Sequence, residues 1–409
     1  MCRCGRTQGL CLCPPERRDV RGIHACVVGL IAFAVALSLG GPGLASAPIV
    51  PLSMHGGTVA AGLLPAFPVE PRASVLGLVR QGPLSWSGPN LSFESLQAGY
   101  PSVLWDAGVY KMWYFGCTPS YFCQIGYATS QDGRYWTRYG PVLGPSLPQD
   151  SQIAAYPEVV KVGTTYRMWY GGYDGSNYRI VAATSPDGTA WTKLGVAIDV
   201  GLAGSQDGYY AVMPRVALVG GQYRMWYTGV SQPQPPNAAI MLATSTDGLN
   251  WTKLGVVLDR GAAGALDSFG VFGGDVVFDG SMFRMIYDGQ TNESSSTLLY
   301  AISTNGIEWQ KQGIALEARP PQERLIVFPS ILPLAGRWHV YYTARAGVSD
   351  LSFYEASGPD PSTPGPSTAP AGGSGIPAIA FALVMVVAGA IGTFLFAWYV
   401  TRPRRPPPA

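Results

Sequence analysis

The chain has 409 residues, 13% of them charged and 11% aromatic, with a formal net charge of +2. The charged share is about half that of an ordinary soluble domain, and no basic patch interleaved with aromatics stands out, which argues against a nucleic-acid partner. Scarce charge with abundant Tyr and Trp suits sheets packed face to face through aromatic side chains.

Arg17, Arg18 and Arg21 precede an uncharged apolar run, residues 25–39, and then a small-residue stretch ending Ala45-Ser-Ala47. That order is the layout of a secretory signal, so 1–47 is expected to be a signal segment. Pro48 directly after the small residues leaves both a cleaved signal and an uncleaved anchor open. The Cys-x-Cys pairs Cys2/Cys4 and Cys11/Cys13 are spaced more tightly than structural zinc ligands, which favour two to four intervening residues. No metal and no cofactor is expected. Residues 48–72 are rich in Pro and Gly and read as an irregular leader.

A repeat begins at Glu94-Ser-Leu-Gln-Ala-Gly-Tyr-Pro-Ser-Val, which runs on to Met112-Trp-Tyr114. Asp150 leads to Met168-Trp-Tyr170, Asp207 to Met225-Trp-Tyr227, Asp267 to Met285-Ile-Tyr287, and Gln322 to Val340-Tyr-Tyr342. Five copies of one pattern mean five units of one architecture. The first four continue into a second signature: Ser130-Gln-Asp-Gly-Arg-Tyr-Trp136, Ser185-Pro-Asp-Gly-Thr-Ala-Trp191, Ser245-Thr-Asp-Gly-Leu-Asn-Trp251 and Ser303-Thr-Asn-Gly-Ile-Glu-Trp309. Asp-Gly and Asn-Gly between strands predict tight hairpins with both central residues at positive φ. The second copy then holds strands near 156–162, 165–171, 178–185 and 190–198. Four antiparallel strands per unit, repeated radially, predict an all-β, five-bladed propeller over 73–357.

The fifth copy has room for a third strand, Leu351–Ser357, and no fourth. Val75-Leu-Gly-Leu-Val-Arg-Gln-Gly-Pro-Leu84 resembles the outer-strand sequence Thr137-Arg-Tyr-Gly-Pro-Val-Leu143 and is expected to supply the missing strand, closing the ring and removing an exposed edge. Cys117 and Cys123 flank one hairpin loop, a spacing suited to a local disulfide in an oxidising compartment. Residues 358–375, almost all Pro, Ser, Thr, Gly and Ala, read as an extended stalk. Residues 376–400 carry no charge and are long enough to span a bilayer. Arg402, Arg404 and Arg405 in the tail, 401–409, place that end in the cytoplasm. The layout predicts a single-pass protein of the cell membrane with an extracellular propeller.

Ser-x-Asp-x-x-x-Trp after an aromatic Trp-Tyr strand, with Tyr-Pro-Glu-Val at 156–159, resembles the five-bladed propeller glycosidases, glycoside hydrolase families 43, 32 and 130. The resemblance covers about residues 75–357. It implies hydrolysis of glycosidic bonds in an extracellular polysaccharide or glycan by carboxylates at the channel mouth, one protonating the leaving oxygen while the other attacks or activates water. In family 43 the base is an Asp directly before the inner-strand Pro. The equivalents here are Tyr100, Tyr156, Met213, Gly273 and Phe328, none of them acidic. Two positions further on stand Ser102, Glu158, Arg215, Asp275 and Ser330. Glu158 and Asp275 are therefore the candidate catalytic pair, with Arg215, Tyr100 and Tyr156 as substrate-binding candidates. A Glu158–Arg215 ion pair between neighbouring inner strands is the structural alternative, and a non-catalytic carbohydrate-binding or adhesion propeller the functional one. The recurring acids Glu94, Asp150, Asp207 and Asp267 form either a ligand-binding ring or, more in keeping with a residue repeated in every unit, caps for backbone N–H groups.

Overall fold

The computed structural model describes residues 73–363, apart from 89–91, 234–235, 293, 321–322 and 346–350. The signal segment expected at 1–47, the leader at 48–72, residues 364–375 of the stalk expected at 358–375, the membrane span at 376–400 and the tail at 401–409 lie outside them. Among the described residues no helix is long and apolar enough to cross a membrane.

Short strands β1 (Val79–Pro83) and β2 (Ser85–Ser87) come first. Four repeats then fold into antiparallel four-stranded sheets. The first holds β3 (Gln97–Asp106), β4 (Val109–Cys117), β5 (Cys123–Ser130) and β6 (Tyr135–Leu143), and the second β7 (Ile153–Val162), β8 (Thr165–Tyr173), β9 (Tyr178–Ser185) and β10 (Thr192–Ile198). The third holds β11 (Tyr210–Val219), β12 (Gln222–Pro233), β13 (Pro236–Ser245) and β14 (Thr252–Leu258), and the fourth β15 (Gly270–Phe278), β16 (Phe283–Asn292), β17 (Ser295–Ser303) and β18 (Gln310–Glu317). The fifth has β19 (Leu325–Leu334), β20 (Arg337–Arg345) and β21 (Leu351–Pro359), so its third strand runs two residues beyond Ser357. Its fourth strand is β1, antiparallel to β21 with Val79 opposite Ser357 and Pro83 opposite Tyr354. The first strands β3, β7, β11, β15 and β19 pack against one another in a closed ring. The arrangement is that of a five-bladed propeller.

Burial follows strand position. Inner strands are buried along most of their length, as in β7, whereas outer strands such as β10 and β14 alternate between exposed and covered residues, the pattern of a strand with one face on the core. Five apolar clusters fill the spaces between blades, among them Trp113 with Met168 and Tyr170, and Trp226 with Met285 and Tyr287. A sixth, holding Tyr100, Tyr156, Met213, Phe272 and Phe328, lies where the inner strands converge.

The Asp-Gly connections differ from the tight hairpins expected. Only the glycines, Gly133, Gly188, Gly248 and Gly306, have positive φ, and the loops are wider. Side chains replace the two-residue turn. Ser130 Oγ accepts the N–H groups of Asp132 and Gly133, and Asp132 Oδ1 accepts those of Arg134 and Tyr135, with the same bonds at the other three loops. These four bonds hold the loop without both central residues in the left-handed region. Each glycine carbonyl after the first takes two indole N–H donors, one from its own loop and one from the preceding blade. Gly188 accepts Trp191 and Trp113, Gly248 accepts Trp251 and Trp169, and Gly306 accepts Trp309 and Trp226. The loops thus latch neighbouring blades together.

Candidate functional site

The inner strands place the site through a bulge that recurs in all five blades. Tyr100, Tyr156, Met213 and Phe328 have φ of 55°, 56°, 57° and 59°, and Gly273 has 44°. The ladder slips at each of them, between Gly99 and Ser102 in the first blade and between Ala155 and Glu158 in the second. A left-handed conformation costs a non-glycine residue roughly 1–3 kcal/mol and persists only where the surroundings enforce it. Here the enforcement is a shared apolar plug. Tyr100 lies with its ring 5.5 Å from both Tyr156 and Phe328, and a Cβ added to Gly273 would touch Met213, Phe328 and Tyr100 at 3.5–3.7 Å. Tyr100 is fully buried and Tyr156 is 5% exposed. Sequence reasoning had no access to this bulge, because a residue before proline favours extended backbone.

The residue two places beyond the bulge reaches the next blade. Ser102 Oγ accepts the Val159 N–H at 3.0 Å, Glu158 Oε1 the Val216 N–H at 3.4 Å, Asp275 Oδ2 the Ile331 N–H at 2.6 Å, and Ser330 Oγ the Val103 N–H at 3.2 Å. The position demands a side-chain acceptor, and Ser, Glu and Asp all meet the demand. Arg215 is the exception. Lacking an acceptor, it leaves the N–H of Val276 to Asp275 Oδ1 at 2.9 Å.

Arg215 is fully buried and turns its donors across the ring. Nη1 donates to Glu158 Oε2 at 3.0 Å and to the Pro101 carbonyl at 3.2 Å, and Nη2 to the Pro329 carbonyl at 2.7 Å. Its guanidinium lies 4.1 Å from the centre of the Tyr100 ring, whose hydroxyl donates to the Pro214 carbonyl at 2.9 Å. Glu158 also accepts the Ser102 hydroxyl at 3.2 Å. One arginine thereby ties the first, second, third and fifth blades at the axis. Burial pushes Glu158 up to about 7, with Arg215 pulling the other way and Asp275 adding to the rise. Burial raises Asp275 too, against Arg215 and its two backbone donors. Glu158 is 8% exposed and Asp275 7%.

The structure thus brings Glu158, Arg215 and Tyr100 into direct contact, sets Tyr156 edge-on to Tyr100, and leaves Asp275 bonded to backbone in the fourth blade. Cys117 and Cys123 are joined by a disulfide across their loop. Among the described residues no group of acidic, His and Cys side chains could hold a metal ion.

The recurring acids form a different constellation, one clamp per blade. Asp150, Asp207 and Asp267 each accept the hydroxyl of the second-strand tyrosine, Tyr170, Tyr227 and Tyr287, at 2.6–2.9 Å. Each also holds an outer-strand lysine, Lys193, Lys253 or Lys311. Asp150 in addition accepts the N–H groups of Ser146 and Leu147. In the fifth blade Glu323 accepts Tyr342 at 2.7 Å and pairs with Arg80 of β1 at 2.8 Å. The sequence pattern had aligned Gln322 there, because this copy is one residue shorter and its glutamate reaches further. Sequence reasoning also missed Asp288, a residue 1% exposed on β16, with the Gln290 side chain beside its carboxyl. Burial raises it well above the usual carboxylate range.

Comparison with known proteins agrees with this architecture. The model of the glycosyl hydrolases family 32 N-terminal domain matches residues 213–357. An uncharacterized protein of Mycobacterium tuberculosis is 37% identical over 145 residues, 33% of this chain and 48% of that protein. A 1,2-beta-oligomannan phosphorylase of a Thermoanaerobacter species is 34% identical over 83 residues, 19% of this chain and 28% of that enzyme. The chain therefore spans about half the length, or less, of these curated relatives. Among solved structures, a glycosyl hydrolase from Bacteroides ovatus superposes with a TM-score of 0.53 at 19% identity, covering 67% of this chain and 87% of that one. The resemblance to the five-bladed propeller glycosidase superfamily is thereby supported by both family model and fold.

Proposed function

We propose that the chain is a carbohydrate-recognising propeller that binds a glycan without cleaving it, displayed outside the cell and held there by residues 376–400. The observation that carries this reading is the engagement of Glu158. A glycosidase needs two carboxyls flanking open space for the scissile oxygen and a water. Here Glu158 is bonded to Arg215, Ser102 and the Val216 N–H, and Asp275 to two backbone N–H groups. The aromatic plug beside them fills space a sugar ring would need. A carbohydrate ligand accords with the family 32 match and with the oligomannan named for the Thermoanaerobacter relative. Exposed aromatics such as Phe122, in the loop closed by Cys117 and Cys123, offer stacking surface.

Hydrolysis is the second reading, favoured by one feature. Burial holds Glu158 near 7, the range in which a carboxyl serves as general acid. The deciding experiment incubates the purified full-length protein with arabinans, xylans, fructans and β-mannosides. Sugar release and glycan retention are measured side by side, with Glu158→Gln as control. Retention without release is the expected result. Release that disappears in Glu158→Gln would overturn the binding reading in favour of a glycosidase.

A further inference from the structure

The clamps of acid, tyrosine and base recur in all five blades, but the one in the first blade is built from different residues and borders a cavity. In the second, third and fourth blades the lysine Nζ also donates to a carbonyl near the end of the preceding blade's outer strand, that of Gly144, Asp199 or Asp259. Arg80 does the same in the fifth, to the Glu317 carbonyl. The first blade, at the seam, departs in the residues it uses. Its acid is Glu94 and its base Arg138. Arg138 Nε pairs with Glu94 Oε1 at 3.2 Å, and the Glu94 carboxyl also meets the hydroxyl of the fully buried Tyr114.

Where the other blades have a filled clamp, the seam has a cavity of about 370 Å³, lined by Trp86, Glu94, Gln97, Arg138 and Phe353 among others. That volume lies within the roughly 300–1,000 Å³ of small-molecule sites. Trp86 belongs to β2, which pairs with β6 alongside the first blade and has no counterpart in the other repeats. Its ring packs 5.4 Å from Phe353 and carries the Arg138 guanidinium at 4.7 Å.

We propose that this seam cavity is a binding site for a neutral saccharide unit, separate from the axial cluster. Hydroxyl groups both donate and accept, so a pair of them answers a guanidinium and a carboxylate held side by side, with the Gln97 amide adding either sense. An anionic ligand would meet Glu94, and a cation Arg138. The indole gives the ring an apolar wall. Arginine and glutamate, longer than the lysine and aspartate of the other clamps, form the wall of the pocket instead of filling it. The inference rests on the carbohydrate-recognising function proposed above and gives it a location.

The other blades supply the test. Glu94→Asp with Arg138→Lys rebuilds the clamp that three neighbouring repeats already fold around, and Trp86→Ala removes the wall, with its contact to the Arg138 guanidinium, while keeping both residues of the Glu94–Arg138 pair. Binding of β-1,2-mannobiose and of the methyl glycosides of mannose, glucose, galactose and arabinose to the full-length protein is followed by saturation-transfer NMR. Thermal unfolding serves as the folding control. Weakening by about tenfold or more in both variants is expected, a change of about 1.4 kcal/mol. Unchanged binding in either folded variant overturns the seam site and leaves glycan recognition standing. Failure of the unaltered protein to bind any of these sugars overturns the site, and failure to retain any glycan of the larger panel overturns the function beneath it.

Discussion

Replacing Arg215 with Met tests whether the axial cluster is structural. Met fills similar space and keeps an apolar contact with Tyr100, but it removes the three hydrogen bonds to Glu158, Pro101 and Pro329. Breaking a buried ion pair from one side costs roughly 3–5 kcal/mol, because the remaining charge is left without compensation. Two orphaned carbonyls add about 1 kcal/mol each. The loss should depend on pH in a definite sense. Glu158 already has a folded-state value raised above its ordinary 4.5, so its stabilising contribution is complete below that value and is lost as pH rises through about 7. Without Arg215 the rise is larger, and the variant's deficit should widen between pH 5 and pH 8. Denaturant unfolding at the two pH values measures this, with Arg215→Met/Glu158→Leu as the second arm. Removing both charges should recover part of the loss. A variant within about 0.5 kcal/mol of the parent at both pH values would refute the reasoning, since that is the range of an inert surface change.

Two further outcomes follow from the same geometry. Asp288→Asn should stabilise the protein at neutral pH and not near pH 4. Its folded-state value is raised, so the parent loses about 1.4 kcal/mol per pH unit above the ordinary carboxylate range until the group ionises, and the amide does not. Thermal unfolding at pH 4 and pH 7 reads the difference, and an equal effect at both would refute it. Arg80→Ala should loosen the closing strand β1 from the rest of the fifth blade. It leaves the 3%-exposed Glu323 with Tyr342 alone, at a cost of up to about 3 kcal/mol. Hydrogen exchange should quicken in β1 and β21 while β12 stays protected, and uniform exchange would refute ring closure through this pair.

Much of the fold was legible because the repeat writes the same chemistry several times. The Met-Trp-Tyr strand and the Ser-x-Asp-Gly loop could be aligned without any structure, and the outer-strand likeness of 75–84 to 137–143 pointed to the closing strand. Arg80 shows why that likeness was informative. It stands where Arg138, Lys193, Lys253 and Lys311 stand, one place before the same short step to a positive-φ glycine at Gly82, Gly140, Gly195, Gly255 and Gly313. The site was less legible. Tyr-Pro, Met-Pro and Phe-Pro read locally as extended chain, and only the convergence of five strands forces their first residues into the left-handed region. Propensity cannot register a conformation whose cause lies in four other blades.

The position after the bulge shows how a family pattern can mislead. Read against the propeller glycosidases, Glu158 and Asp275 draw attention as acids. Read across the five blades of this chain, they fall in a series with Ser102 and Ser330 whose common property is accepting a backbone N–H from the next strand. A serine satisfies that need without charge. The two carboxylates therefore require something more than fold geometry to account for them, and Arg215 supplies part of it by balancing the charge at the axis. If catalysis were their purpose, the arginine would be expected to leave one of them facing solvent. It bonds to one directly and faces the same closed interior as the other, so the departure from fivefold regularity is best sought at the seam, where the same comparison between blades finds glutamate and arginine in place of aspartate and lysine beside an open cavity.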